Sequence, residues 1–244
     1  MKILISQKEP SNLNAYKALE EKYGAELEFH PFFLIEPLSA KEFRSQRINL
    51  PDYTAIVFSS RHAIDAYFKM CDEMRFKVPE TMKYFCTTEL VALYLQKHVV
   101  YRKRKIFFGD GSVQSIVAQI SPKHKGEKFL ITTSAEANTD PVRSLFEKAG
   151  LDFTVSVMVK SVPQDLSGIN LADYGALVLY NPYDLKSLKA SFPEFEQGSL
   201  SFITYGKSIA KALEEEGLKI AVKGGPNTDI PSASKAIDVF LGGE

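Results

Sequence analysis

Histidine and cysteine are the side chains best suited to metal binding or nucleophilic chemistry, and in this 244-residue chain neither is spaced for it. His30, His62, His98 and His124 are scattered, with no HExxH and no i, i+4 pair of the kind a helix uses to hold zinc. Cys71 and Cys86 form no CxxC or CxxxC, which argues against a thiolate metal site and a disulfide framework and fits a reducing compartment. Gly109-Asp110-Gly111 follows a strand-like stretch, but Gln114 stands where a dinucleotide fingerprint needs its third glycine, so a surface turn is expected. No GxSxG elbow or P-loop occurs. The chain is therefore expected to need no metal and no cofactor, and no catalytic group can be singled out.

What the sequence offers instead is a set of polar turns directly after short apolar runs. Ser59, Ser60, Arg61 and His62 form one; Asn181, Pro182 and Tyr183 another; Tyr205, Gly206, Lys207 and Ser208 a third. Thr132, Thr133 and Ser134 follow the run at Lys128–Ile131, and Ser6 and Gln7 follow the one at Lys2–Ile5. Hydroxyls, amides and a few cations beside helix N-termini make an anion site, because the first backbone N–H groups of a helix lack internal partners and carry its positive end. Ser, Thr and Asn at such places also cap helices, and the two duties are compatible. The candidate binding residues are thus Ser59, Ser60, Arg61, Thr132, Thr133, Asn181, Tyr183, Tyr205, Gly206, Lys207 and Ser208.

The elements that must position these turns are revealed by a repeat. At a shift of 126, Lys2, Leu4, Ile5, Asn12, Leu19, Glu21, Lys22, Gly24 and Pro37 fall on identical residues at 128, 130, 131, 138, 145, 147, 148, 150 and 163. At a shift of 121, residues 54–60 align with 175–181, and at 118, residues 87–95 align with 205–213. Each repeat reads β-α-β, then β-α-β-α-β-α. The second strand of the opening unit is expected over Leu27–Ile35 in the first repeat and Phe153–Val162 in the second. Short continuous apolar strands alternating with helices suit a parallel sheet covered on both faces. Gly24 and Gly150 sit at helix C-caps, and Pro37 and Pro163 close equivalent strands because proline has no N–H to give.

Composition sets the outer limits. The length suits two domains, and 45% hydrophobic residues with 17 Phe and 11 Tyr can build a core in each. Thirty basic residues balance thirty acidic ones, so no overall field draws the chain to nucleic acid or an acidic membrane. The one basic run, Tyr101-Arg102-Lys103-Arg104-Lys105, reads as a solvated strand edge. No stretch is long enough to span a bilayer and no signal-peptide pattern opens the chain. A cytoplasmic monomer with a small-molecule partner, and neither nucleic acid nor membrane, is expected.

The blocks Ile56-Val57-Phe58-Ser59-Ser60-Arg61-His62-Ala63-Ile64, Val178-Leu179-Tyr180-Asn181-Pro182-Tyr183 and Tyr205-Gly206-Lys207-Ser208-Ile209-Ala210 resemble the paired strand-end motifs of uroporphyrinogen-III synthases, in order and over nearly the whole chain. The resemblance implies two similar doubly wound α/β domains with an internal duplication. Residues 1–34 would join 164–244 in one domain, residues 38–158 would form the other, and residues 35–37 and 159–163 would be a two-stranded antiparallel crossover between them. So thin a connection predicts relative domain motion. It also implies an enzyme of heme biosynthesis that cyclises hydroxymethylbilane, a linear tetrapyrrole with eight carboxylates, inverting the last ring and losing water. The chain departs from the family at Val159-Lys160, where a tyrosine is frequent, at Ile209, where threonine is, and at Tyr180-Asn181-Pro182, where Thr-Ser-Pro is. A non-catalytic relative binding a tetrapyrrole or another polycarboxylate between its domains is the alternative.

Overall fold

The computed structural model describes residues 1–243 except 121–123 and 227. In chain order the first repeat runs β1 (Lys2–Ile5), α1 (Asn14–Tyr23), β2 (Glu26–Phe29), β3 (Phe33–Pro37), α2 (Ala40–Ser45), β4 (Ala55–Phe58), α3 (Arg61–Glu73), β5 (Lys83–Cys86), α4 (Glu89–Tyr94), β6 (Ile106–Phe108) and α5 (Val113–Gln119). The second runs β7 (Lys128–Ser134), α6 (Asp140–Lys148), β8 (Asp152–Pro163), β9 (Ala176–Leu179), α7 (Pro182–Ser191), β10 (Ser201–Tyr205), α8 (Lys207–Glu215), β11 (Ile220–Gly224) and α9 (Ala233–Gly242). Several helices begin at a capping hydroxyl. Ser39, Ser60, Thr88, Ser112 and Ser232 each cap one, accepting a backbone N–H from the first turn. Gly24 and Gly150 take left-handed φ values of 61° and 65° just beyond α1 and α6, a conformation that costs a residue with a Cβ.

The chain divides into two compact units, Met1–Leu34 with Val162–Glu244, and Ile35–Ser161. The first holds a five-stranded sheet in the order β11-β10-β9-β1-β2, and a six-stranded sheet runs β3-β8-β7-β4-β5-β6. β3 and β8 are neighbours, and both unit boundaries fall within them. Every pairing from β11 to β2, and from β8 to β6, is parallel. Parallel strands buried on both faces explain the unbroken apolar runs: Ile3, Leu4 and Ile5 are fully buried, as are Ala176, Leu177, Val178 and Leu179.

The duplication is written into the strand register. Ile3 pairs with Ala176 in one unit and Phe129 with Ala55 in the other, and the shifts of 126 and 121 carry each pair onto its counterpart. Lys2↔Glu26 likewise corresponds to Lys128↔Asp152, and Ala176↔Ser201 to Ala55↔Lys83. Each sheet is covered twice. In the unit of residues 35–161, Ile56, Phe58, Tyr84 and Leu130 pack with Ala63, Ile64, Tyr67 and Met70 of α3, while Val57, Phe85, Phe129 and Ile131 pack with Ile116 and Phe146 on the other side. In the other unit Leu4, Leu177, Leu179 and Phe202 meet Leu185, Leu188, Ile209 and Leu213, and Ile3, Ile5, Val178 and Ile203 meet Leu19, Ala236 and Ile237.

One expected strand is divided. Leu27–Ile35 breaks into β2 and β3 across residues 30–32, whereas its counterpart β8 runs unbroken for 12 residues. Pro31 is the reason: it has no N–H for a ladder and restricts His30 before it. Both β3 and β8 end on the prolines named from sequence, Pro37 and Pro163.

Candidate functional site

The turns chosen from sequence lie at the C-terminal ends of parallel strands, where open α/β sheets gather ligand-binding groups. In the unit of residues 35–161, Ser59 and Ser60 follow β4. Ser60 Oγ accepts the Ala63 N–H (3.1 Å), and the Ser59 carbonyl accepts the hydroxyl of Thr87 from the end of β5 (3.2 Å). Arg61 is exposed, and its guanidinium lies 5.5 Å from the centre of the Tyr94 ring. Thr132 is 2% exposed and donates its hydroxyl to the Val57 carbonyl at 2.8 Å, so its one O–H proton is committed to tying β7 to β4. Thr133 is also buried.

In the other unit three strand ends converge. Gly206, with φ +133°, begins α8 after β10, and its N–H bonds to the Gly224 carbonyl at the end of β11 (2.9 Å). A Cβ on Gly206 would stand 3.5 Å from the Tyr180 carbonyl at the end of β9. Tyr205 and Tyr180 meet edge to face with centroids 5.9 Å apart, and the Tyr205 hydroxyl donates to the Pro231 carbonyl (2.7 Å). Lys207 and Ser208 are exposed. Gly206 has no side chain to cap α8, so the first-turn amides at Lys207 and Ser208 keep the unsatisfied donors of a helix start. The corresponding position at a shift of 118 is Thr88, whose hydroxyl caps α4 by accepting the Val91 N–H (3.3 Å).

Asn181 and Tyr183 occupy the β9–α7 turn. Asn181 is exposed, and its Oδ1 accepts the Tyr183 N–H at 2.9 Å. Tyr183 lies beside Phe33, with centroids 5.7 Å apart, and under the ammonium of Lys186 at 4.8 Å. Beneath this turn sits a residue that sequence reasoning missed. Asp184 is fully buried, and its Oδ2 accepts three bonds: the Ser6 hydroxyl (2.8 Å), the Tyr180 N–H (2.8 Å) and the Asn181 N–H (3.0 Å). Burial pushes its carboxyl above the usual aspartate range, against the pull of the Tyr180 amide, the Ser6 hydroxyl and the Asn181 amide. The Asn-x-x-Asp spacing of a capping box was the available signal.

The remaining chemical groups are spent elsewhere. Cys71 and Cys86 are buried and unpaired, and burial pushes both thiols up to about 12. Asp110 Oδ1 accepts the Ser112 N–H and hydroxyl, making Gly109–Gly111 the surface turn expected. Among the described residues no three His, Cys, Asp or Glu side chains gather where they could hold a metal ion, and no helix is long and apolar enough to cross a membrane. A cavity of about 360 Å³ lies at the opposite strand ends of the 35–161 unit, lined by Phe68, Phe76, Met82, Tyr84 and Arg102 among others; none of the turns reaches it.

Two largely parallel sheets that repeat the same order of elements, with polar turns at their strand ends, define a duplicated α/β protein. Two solved structures share the fold: the uroporphyrinogen-III synthetase of Helicobacter pylori, 14% identical, with 100% of this chain and 99% of that chain covered and a TM-score of 0.63, and a mutant uroporphyrinogen III synthase of the extremely thermophilic bacterium Thermus thermophilus, also 14% identical, with full coverage of both chains and a TM-score of 0.57. No curated protein sequence matches the chain. The sequence model of the family described as Uroporphyrinogen-III synthase HemD matches residues 14–229. The chain belongs to the uroporphyrinogen-III synthase family, whose members are cyclising hydro-lyases of heme biosynthesis that act on a tetrapyrrole.

Proposed function

We propose that this enzyme holds the carboxylates of hydroxymethylbilane at its strand-end turns and closes the chain with its last ring inverted. The observation that carries the site is the uncapped start of α8 at Gly206, set against the Tyr180 carbonyl, where the matching helix α4 of the other unit is capped by Thr88. An anion held there replaces the missing cap. Lys207 and Ser208 supply a cation and a hydroxyl at the same helix start, and Asn181 and Tyr183 extend the site along the neighbouring turn. Ser59, Ser60 and Arg61 are the second group of contacts, with Ser60 already committed to capping α3. Thr132 is left out, because its hydroxyl holds two strands together.

The chemistry asks little of reactive side chains. The substrate sheds its hydroxyl and closes to the uninverted isomer unaided, so the protein's task is to select a folded geometry and to stabilise charge as it develops. Donors fixed at strand ends are suited to both. The enzyme is expected to work without metal, nucleotide or flavin, and its two unpaired cysteines suit the reducing cytoplasm. The test is to supply hydroxymethylbilane to chelator-treated protein and separate the products. Isomer III in place of isomer I is the expected result. Isomer I alone would overturn the assignment, and activity lost to the chelator and restored by one added metal would overturn the metal-free reading.

A further inference from the structure

The two units fill equivalent places with opposite chemistry. At a shift of 121, Asp184 and Ser187 of α7 correspond to Ala63 and Ala66 of α3, and at 118, Thr204 of β10 corresponds to Cys86 of β5. In the 35–161 unit these positions are ordinary core, with Ala63, Ala66 and Cys86 all packed in one apolar cluster. In the other unit Asp184, Ser187 and Thr204 are each fully buried, and Asp184 Oδ1 and both hydroxyls have no hydrogen-bond partner among the described residues. A buried carboxylate left half satisfied costs stability that an alanine would not. The fold itself does not need it, because the same fold does without it in the companion unit.

What Asp184 does instead is local and specific. One oxygen gathers the end of β1 through Ser6 and the first two residues of the β9–α7 turn through Tyr180 and Asn181. The Tyr180 carbonyl in that turn is the atom against which Gly206 fits. At the equivalent positions of the companion unit the clamp is replaced: Thr132, the counterpart of Ser6, is bonded to the Val57 carbonyl, and Ala63 has no group to reach the turn. We infer that Asp184 is a positioning residue, a buried clamp that sets the β9–α7 turn, with Asn181 and Tyr183, against the start of α8 so that both meet the substrate in one fixed geometry. This rests on the strand-end site proposed above.

Asp184→Ala, Asp184→Asn, Leu188→Ala and Lys207→Ala, made in the full-length enzyme and assayed for isomer III formation beside thermal melts, separate the possibilities. Asp184→Ala should raise KM about tenfold with kcat changed less than about threefold, the pattern of lost substrate positioning. Asp184→Asn should recover most of that loss, because the amide oxygen still accepts the Tyr180 and Asn181 N–H groups; it is also the variant to read if the alanine fails to fold. Leu188 is fully buried four residues further along the same helix, in its apolar cluster, so Leu188→Ala should lower the melting temperature without moving KM. Unchanged KM in both Asp184 variants, or an equal KM rise in Leu188→Ala, would overturn the clamp. If Lys207→Ala raises KM while both Asp184 variants do not, the site stands and the clamp falls; if Lys207→Ala leaves KM unchanged, the site reading fails and takes the clamp with it.

Discussion

At the residue scale the informative feature is where hydrogen-bonding capacity is used up and where it is left over. Thr132 and Ser60 look alike in sequence, both polar residues after an apolar strand, yet Thr132 spends its hydroxyl inside the sheet and Ser60 spends its on a helix start. Gly206 leaves capacity over, since it has no side chain and its positive φ suits no other residue well. Gly206→Val should therefore act twice. Strain at φ +133° should cost about 1–3 kcal/mol of stability, and displacement from the Tyr180 carbonyl should raise KM about tenfold. A Ser59/Ser60 double alanine should cost about 1 kcal/mol through the lost cap of α3. Melting curves and steady-state kinetics on both variants check this, and normal KM in folded forms of both would remove these turns from the site.

At the scale of elements, β8 is the longest strand and carries the chain out of the 35–161 unit. It is held within that unit by polar contacts as well as by its ladder. Gln46 at the end of α2 bonds both ways to the Val157 backbone, at 2.9 Å each, and Lys160 pairs with Glu42 at 2.6 Å. Glu42 is also the third residue of a capping box with Ser39. Lys160, and then Ser39, hold the Glu42 carboxyl down at about 2, from 4.5. The sign follows from linkage: a lowered native pKa means that the unfolded state binds the proton more readily, so this contribution is complete above about 4.5 and fades as pH falls toward about 2. Both partners are substantially exposed, so the effect is modest and weakened by salt. The melting temperature of Glu42→Gln should lie below that of the unaltered protein at neutral pH and converge with it in acid. A gap that persists unchanged to low pH would show that Glu42 contributes through packing alone.

At the scale of the whole molecule the two units differ in continuity. Residues 35–161 form one segment with apolar clusters on both faces of the β7-β4-β5-β6 sheet. The other unit is assembled from both ends of the chain, and β1 is an interior strand of its sheet, between β9 and β2. A fragment of residues 35–161 should therefore unfold cooperatively on its own. Residues 162–244 alone should not, because they lack Ile3, Leu4 and Ile5, three fully buried side chains worth roughly 1.5–3 kcal/mol each. Adding a peptide of residues 1–34 should restore the second fragment. Denaturant titrations followed by circular dichroism test this, and a cooperative transition for residues 162–244 alone would show that β1 is dispensable.

Much of this was legible in the sequence for a physical reason: buried parallel strands need unbroken apolar runs, helix ends need glycine or a capping hydroxyl, and a duplication repeats both at fixed intervals. The offsets of 126, 121 and 118 located the repeat, and the strand registers obey them pair by pair. Gly206 was one of the candidate residues, and its φ of +133° is the reason glycine stands there. The sequence did not show that Pro31 divides a strand, that Thr132 is bonded inward, or that Asp184 joins Ser6 across 178 residues. Those depend on which donor meets which acceptor once β1 is laid beside β9, and that distance exists only in the folded chain.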